Sequence, residues 1–149
     1  MEDTAIRILD GRRIMAISTV RPDGWPQTTI VGYANVGLLL YFAISRSSQK
    51  FANLQLDDRV SIAVGEEPRS LDLLQALYSS GHAIEIDDLA EREQAWRLLM
   101  ARHQNLQSYA ATDQTNFALM RVRCEHVSVL DFTKGLGHTE AFVATSAAT

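Results

Sequence analysis

Cysteine occurs once in this 149-residue chain, at Cys124, so no intrachain disulfide can staple the fold and no cysteine set exists to hold a structural metal. Basic residues are outnumbered 14 to 18, and the formal charge of -4 has the wrong sign for broad attraction to nucleic acid or an anionic lipid surface. No apolar run reaches the length of a membrane span, and residues 1–13 open acidic, unlike a secretory leader, so the expected location is the cytoplasm. Also missing are a Gly-x-Gly-x-x-Gly turn, a Walker-type lysine loop and a Gly-x-Ser-x-Gly elbow. Dinucleotide, nucleoside-triphosphate and serine-hydrolase sites therefore lack their backbone frames. His82, His103, His126 and His138 have no close partner at ligand spacing, and Cys124 with His126 supplies two ligands, short of a zinc site. No metal is expected.

What is present suits one domain over residues 1–149, since the apolar share of 46% and charged share of 21% match a soluble chain able to build a sizeable core. Asp3 or Thr4 is placed to cap a short helix with Ile6 and Leu9 on one face and Gly11 at its end. Residues 14–20 read as a strand, Arg21-Pro22-Asp23-Gly24 as a hairpin turn and residues 27–33 as the return strand. Asn35-Val36-Gly37 then reads as a second turn and residues 38–44 as a third strand, completing a meander. Ser47 or Ser48 is placed to cap a short helix carrying Phe51 and Leu54, and residues 60–64 return to strand character. A further strand is expected within residues 71–86, although residues 73–77 are equally helical by composition. The clearest helix runs from Asp88 to about His103, with Leu89, Trp96, Leu99, Met100 and His103 on its apolar side and Glu91, Arg92, Glu93 and Arg97 wet. Residues 117–123 and 127–132 supply closing strands, residues 133–137 a loop, and residues from about 139 to 149 a flexible tail. The fold class is mostly β with flanking helices (α+β), roughly six or seven antiparallel strands closing into a small barrel.

The chemistry concentrates in Ser45-Arg46-Ser47-Ser48-Gln49-Lys50, which places hydroxyls, an arginine fork and an ammonium at a helix entrance. Such a segment suits a phosphate, because helix amides, a bidentate guanidinium and a point charge all favour an anion. A polar cap with solvated basic residues is the competing reading, and position in the chain decides between them. No catalytic acid or base is assigned, because Glu125 and Asp131 have no identifiable partner. Trp25 and Tyr33 pack locally unless a substrate stacks on them.

The order of strand, Pro-Asp-Gly turn, threonine-bearing strand, Leu40-Tyr41-Phe42, the Ser45 to Lys50 segment, Asn53-Leu54 and Asp58-Arg59-Val60-Ser61 resembles the pyridoxamine 5'-phosphate oxidase-like FMN-binding split-barrel family. The end, from Leu130 to His138, looks like that of its small general stress protein-like members. The resemblance implies a split barrel forming a homodimer, with FMN at the subunit interface and oxidoreductase activity on a small-molecule substrate. It assigns Arg46, Ser48 and Lys50 to the phosphate, with Gln49 beside them. Thr28, Thr29 and Val31 would lie along the ribityl chain and ring, Ala43 and Ile44 would flank the cofactor, and Gln75 would reach the ring from a later strand. Pyridoxamine-phosphate oxidation itself is not expected, because the family's C-terminal segment with a tryptophan and an arginine–leucine pair has no counterpart in the closing Ala-Thr-Ser-Ala-Ala-Thr. Two alternatives use the same fold, a deazaflavin cofactor in the basic pocket, or haem binding without catalysis, with His138 as an iron ligand.

Overall fold

In the computed structural model, residues 1–106 and 114–145 are described, and they form a mostly antiparallel sheet curled into a split barrel with three helices around it. Helix α1 (Glu2–Asp10) buries Ala5, Ile8 and Leu9. It begins two or three residues earlier than Asp3 or Thr4 would place it, with Met1 at the cap position and no side-chain capping bond.

Strands β1 (Ile14–Val20) and β2 (Pro26–Gly32) form a hairpin in register from Ile14 opposite Gly32 to Val20 opposite Pro26. Its turn needs Gly24, at φ 87°, and is braced by the Asp23 carboxylate, which accepts from the Trp25 amide at 3.1 Å and from Arg21 at 2.7 Å.

The expected three-strand meander is not formed. After β2 the chain dives inward, because the fully buried Tyr33 donates its hydroxyl to the Leu9 carbonyl at 2.6 Å and the Asn35 amide donates to Asp10 at 2.7 Å. A short strand β3 (Ala34–Val36) then turns at Gly37, φ 59°, into β4 (Leu39–Ser45). Strand β4 buries side chains on both faces, so it takes an interior place between β3 and a distant strand rather than pairing with β2.

Helix α2 (Gln49–Leu56) is capped by Ser48, whose hydroxyl accepts from the Phe51 amide at 3.2 Å. Strand β5 (Arg59–Gly65) lies between β1 and the long strand β6 (Gln75–Glu85). The ambiguous residues 73–77 divide between these elements: a 3-10 turn ends at Leu73 and β6 starts at Gln75. Helix α3 (Leu89–Arg102) is capped by Asp88 and buries Ala95 and Leu99. Leu89 is exposed, and Glu91, expected in water, is half-buried because it shares the Ala95 and Leu99 face at four-residue spacing.

Strands β7 (Phe117–Arg123), β8 (His126–Asp131) and β9 (Thr139–Val143) complete the sheet. Residues 139–143, read from sequence as tail, pair with β8 through alternate exposed and half-buried positions. Residues 146–149 lie outside the described part. Together with β3, β9 raises the described strand count to nine, above the expected six or seven.

Strand β6 is the seam of the barrel. Its first half pairs with β8, its last three residues pair with β7, and β5 runs along its other edge. The partner change is permitted by Gly81, where a Cβ would sit 2.5 Å from the Arg123 carbonyl oxygen and 2.7 Å from Val122. The main core, including Met15, Ile17, Phe42, Ile62 and Leu77, fills the barrel interior. A second cluster of Tyr41, Ile86, Ala95, Leu99 and Leu119 packs under α3. No helix among the described residues is long and apolar enough to cross a membrane.

Candidate functional site

The β4–α2 junction is a self-bonded polar turn. Ser45 and Ser47 share a hydroxyl bond at 2.9 Å, and the Ser48 hydroxyl donates to the Ser45 carbonyl at 2.6 Å while capping α2. Gln49 donates to Asn53 at 2.9 Å. Asn53, fully buried, donates in turn to Thr19 at 2.9 Å and Gln27 at 3.0 Å, so α2 is locked to the β1–β2 hairpin. Between that hairpin and the start of α2 lies a cleft of about 530 Å³ lined by Arg21, Pro22, Asp23, Gln27 and Gln49.

The two cations of the junction differ. Arg46 is held by the Asn116 carbonyl at its own amide and stacks on Phe51, 5.4 Å from the ring centre. Its guanidinium grips both carboxylate oxygens of Glu85, with Nη1 to Oε1 at 3.2 Å and a second, shorter contact from Nη2 to Oε2. Arg92 on α3 stands 3.9 Å from the same carboxylate and donates to the Ile86 carbonyl at 3.1 Å. Lys50, half-buried in the first turn of α2, has no side-chain hydrogen bond or ion pair among the described residues. The opening amides of an α-helix have no partner within it, and here Ser48 takes that of Phe51, leaving those of Gln49 and Lys50 at the helix entrance.

The remaining residues assigned from the resemblance scatter over two faces. Thr28 points outward and shares a hydroxyl bond with Ser18 at 2.7 Å, whereas Thr29 and Val31 point inward. The Thr29 hydroxyl is enclosed without a hydrogen-bond partner. Ala43 packs against the α3 cluster and Ile44 belongs to the barrel core on the opposite side of β4. Gln75 lies at the far end of the barrel, in a cleft with Arg12, Glu66 and Arg69, opposite Asp131. Asp131 has its pKa lowered, first by its hydrogen bond from Thr133 and also by one from Gln75. Within one chain the structure thus gathers Arg46, Ser48, Gln49 and Lys50, and does not bring Gln75, Ile44 or Val31 to them.

Sequence reasoning did not find Glu85, Arg92 or Gln27, because none stands in a local pattern with the basic segment; Asn53 was quoted there only as part of the resemblance, and the structure makes it the tie between α2 and the hairpin. His103 and His138 are engaged structurally. His103 Nε2 donates to the Tyr33 carbonyl, 2.9 Å away, with its ring over Gly32, where a Cβ would meet it at 2.9 Å. His138 faces Glu140 at 3.2 Å. Trp25 is exposed on the hairpin turn and Tyr33 is core, its phenol pKa raised by burial.

A family model described as pyridoxamine 5'-phosphate oxidase matches residues 1–131. The chain belongs to this family. Its split barrel recurs in solved structures, among them a heme binding protein from Mycobacterium smegmatis (TM-score 0.79, 19% identity), covering 95% of this chain and 56% of that one. A conserved hypothetical protein from Mycobacterium tuberculosis matches at TM-score 0.79 and 21% identity, over 99% of this chain and 94% of its own. The heme storage protein HutZ from Vibrio cholerae matches at TM-score 0.70 and 19% identity, over 83% and 89%. At these identities the likeness establishes the fold, and this chain spans little more than half of the first protein's length. Among curated proteins none matches this sequence.

Proposed function

We propose that this pyridoxamine 5'-phosphate oxidase-family chain binds FMN at the start of α2, as a homodimer, and serves as an oxidoreductase for a small substrate. The observation that carries the reading is half-buried Lys50, without a side-chain partner among the described residues, on the first turn of a helix whose entrance also carries the Arg46 fork and reaches a polar cleft through Gln49. A dianion suits this donor set. Lys50, the Ser47 hydroxyl and the first α2 amides would hold the phosphate, and Arg46 would join them on leaving Glu85. Gln27 and Gln49 offer amide groups in the adjoining cleft, and Thr28 offers a hydroxyl on the outer face. Bound FMN would supply hydride or electron transfer, for which the protein needs to provide orientation and exclusion of water rather than a catalytic base.

A second copy suits the outer face of the sheet. One register row runs Ile30, Ala16, Ala63, Tyr78, Ser128, Ala141 across six strands. The next holds Thr28, Ser18, Ser61 and Ser80. Small side chains flanked by the exposed Ile30 and Tyr78 make a surface that another flat face can approach closely.

Haem is the second reading, favoured by the names of two structural relatives. His138 would have to leave Glu140 to ligate iron. Side-by-side titration with FMN, a deazaflavin and haemin separates the readings. FMN uptake with a visible flavin spectrum is expected, and a Soret band lost in His138→Ala, with no flavin uptake, would replace the proposal by haem binding. Arg46→Ala with Lys50→Ala should weaken FMN and leave riboflavin unchanged, since riboflavin lacks the phosphate.

A further inference from the structure

We infer that Glu85 is the resident anion of the Arg46 site and sets the threshold a ligand must pass: an incoming phosphate takes Arg46, and the Glu85 side chain moves over to Arg92. The inference rests on the reading of the same cluster as a phosphate site and adds to it the residue that governs affinity. Both carboxylate oxygens of Glu85 occupy the Arg46 fork, which is the two-point geometry a phosphate would use. One fork cannot serve both anions, and a phosphate beside an unmoved carboxylate would be repelled.

The surroundings suit an exchange. Glu85 is the last residue of β6 and is opposite Met120 of β7, so its backbone is held and only the side chain has to swing. Arg92, 3.9 Å away, is the next cation, and its bond to the Ile86 carbonyl keeps it in place to receive the carboxylate. The Arg46 and Glu85 side chains are 40% and 30% exposed, so water screens the pair and it opens at modest cost. A carboxylate ligand gains little at Arg46, since it replaces one carboxylate by another. A phosphate monoester brings a third oxygen and more charge, and its other oxygens can reach Lys50 at the same time. Glu85 therefore holds simple carboxylates below useful affinity while leaving phosphate esters above it.

The test titrates FMN and riboflavin into the wild type, Glu85→Gln, Arg92→Ala and the double variant; glutamine keeps the size of the side chain and removes its charge. Glu85→Gln should tighten FMN about fivefold and leave riboflavin unchanged. Arg92→Ala should weaken FMN about twofold while Glu85 is present and have no effect in the Glu85→Gln background. Unchanged or weaker FMN binding in Glu85→Gln would overturn the inference; weaker binding would mean that Glu85 orients Arg46 instead of competing for it. Should the wild type take up no flavin, the FMN reading fails by itself, and pyrophosphate followed by the Arg46 side-chain NMR signals still decides this one. Tighter pyrophosphate binding in Glu85→Gln, abolished by adding Arg46→Ala, supports it, and equal or weaker binding overturns it.

Discussion

Two basic clusters lie at opposite ends of the barrel, and they are built to different ends. At the junction of α1, β3 and α3, Arg102 donates to Asn35 at 2.7 Å and, more weakly, to the carbonyls of Arg12 and Leu9 at 3.4 and 3.5 Å, while stacking 5.4 Å above the Tyr33 ring. Every acceptor is a neutral group of the chain itself, so the arginine works as a rivet where a helix end meets a strand. At the β4–α2 junction the serine hydroxyls and the Gln49 and Asn53 side chains are similarly satisfied, but Lys50 has no partner among the described residues and Arg46 faces an exchangeable carboxylate. Charge alone therefore does not distinguish a structural cation from a binding one; what each cation already holds does.

The largest effect that sharpens this contrast is expected from Arg102→Ala. Losing the three acceptors and the ring contact should destabilise the fold by about 3 kcal/mol in urea unfolding, leaving phosphate affinity unchanged in the folded fraction. Lys50→Ala should do the reverse, weakening FMN by about thirtyfold, or about 2 kcal/mol, with unfolding stability altered by less than about 0.5 kcal/mol. A loss of stability in Lys50→Ala as large as in Arg102→Ala would erase the distinction. Ser48→Ala sits between the two roles. Removal of the α2 cap should cost about 1 kcal/mol of stability and lower phosphate affinity indirectly, by fraying the first turn, with Ser48→Asp restoring the stability and not the affinity.

The smallest effect concerns pH. His82 has its pKa raised from 6.5, mainly by its 2.6 Å hydrogen bond to Asp58. A histidine whose pKa is higher in the folded state stabilises the fold fully below its unfolded value and loses that contribution as pH rises through the folded value. Unfolding midpoints should therefore fall slightly above about pH 6.5, and His82→Gln should flatten that slope. Asp57 acts oppositely. Its pKa is lowered to about 2, chiefly by hydrogen bonding to Arg59, so its contribution is present above the ordinary carboxylate value and lost as pH falls toward 2.

Much of the architecture was legible before any coordinates. The bounds of β1 and β7 coincide with the expected ones, and Ser48, one of the two serines proposed, caps α2, because strand alternation and capping depend on residues within a few positions. The failed meander has a long-range cause: Tyr33 and Asn35 are tied to Leu9 and Asp10, 24 and 25 residues earlier. Thr28 and Thr29, assigned to one ligand through side-chain hydroxyls and backbone groups, point to opposite faces, as neighbours on a strand do. A strand in 139–143 was missed because Thr-Glu-Ala-Phe-Val shows no apolar alternation of its own, and its pairing with β8 supplies what its composition lacks.

Local chemistry thus determined the elements, their caps and the gathering of Arg46, Ser48, Gln49 and Lys50 at one helix entrance, since all of that is decided within a turn or a hairpin. Only tertiary structure decided which of those charges is available. Ser45 is opposite Phe117 and Met120 is opposite Glu85, so the pairing of β4 with β7 and β7 with β6 carries a carboxylate across 39 positions to Arg46. Lys50, four residues further along, is left without one among the described residues.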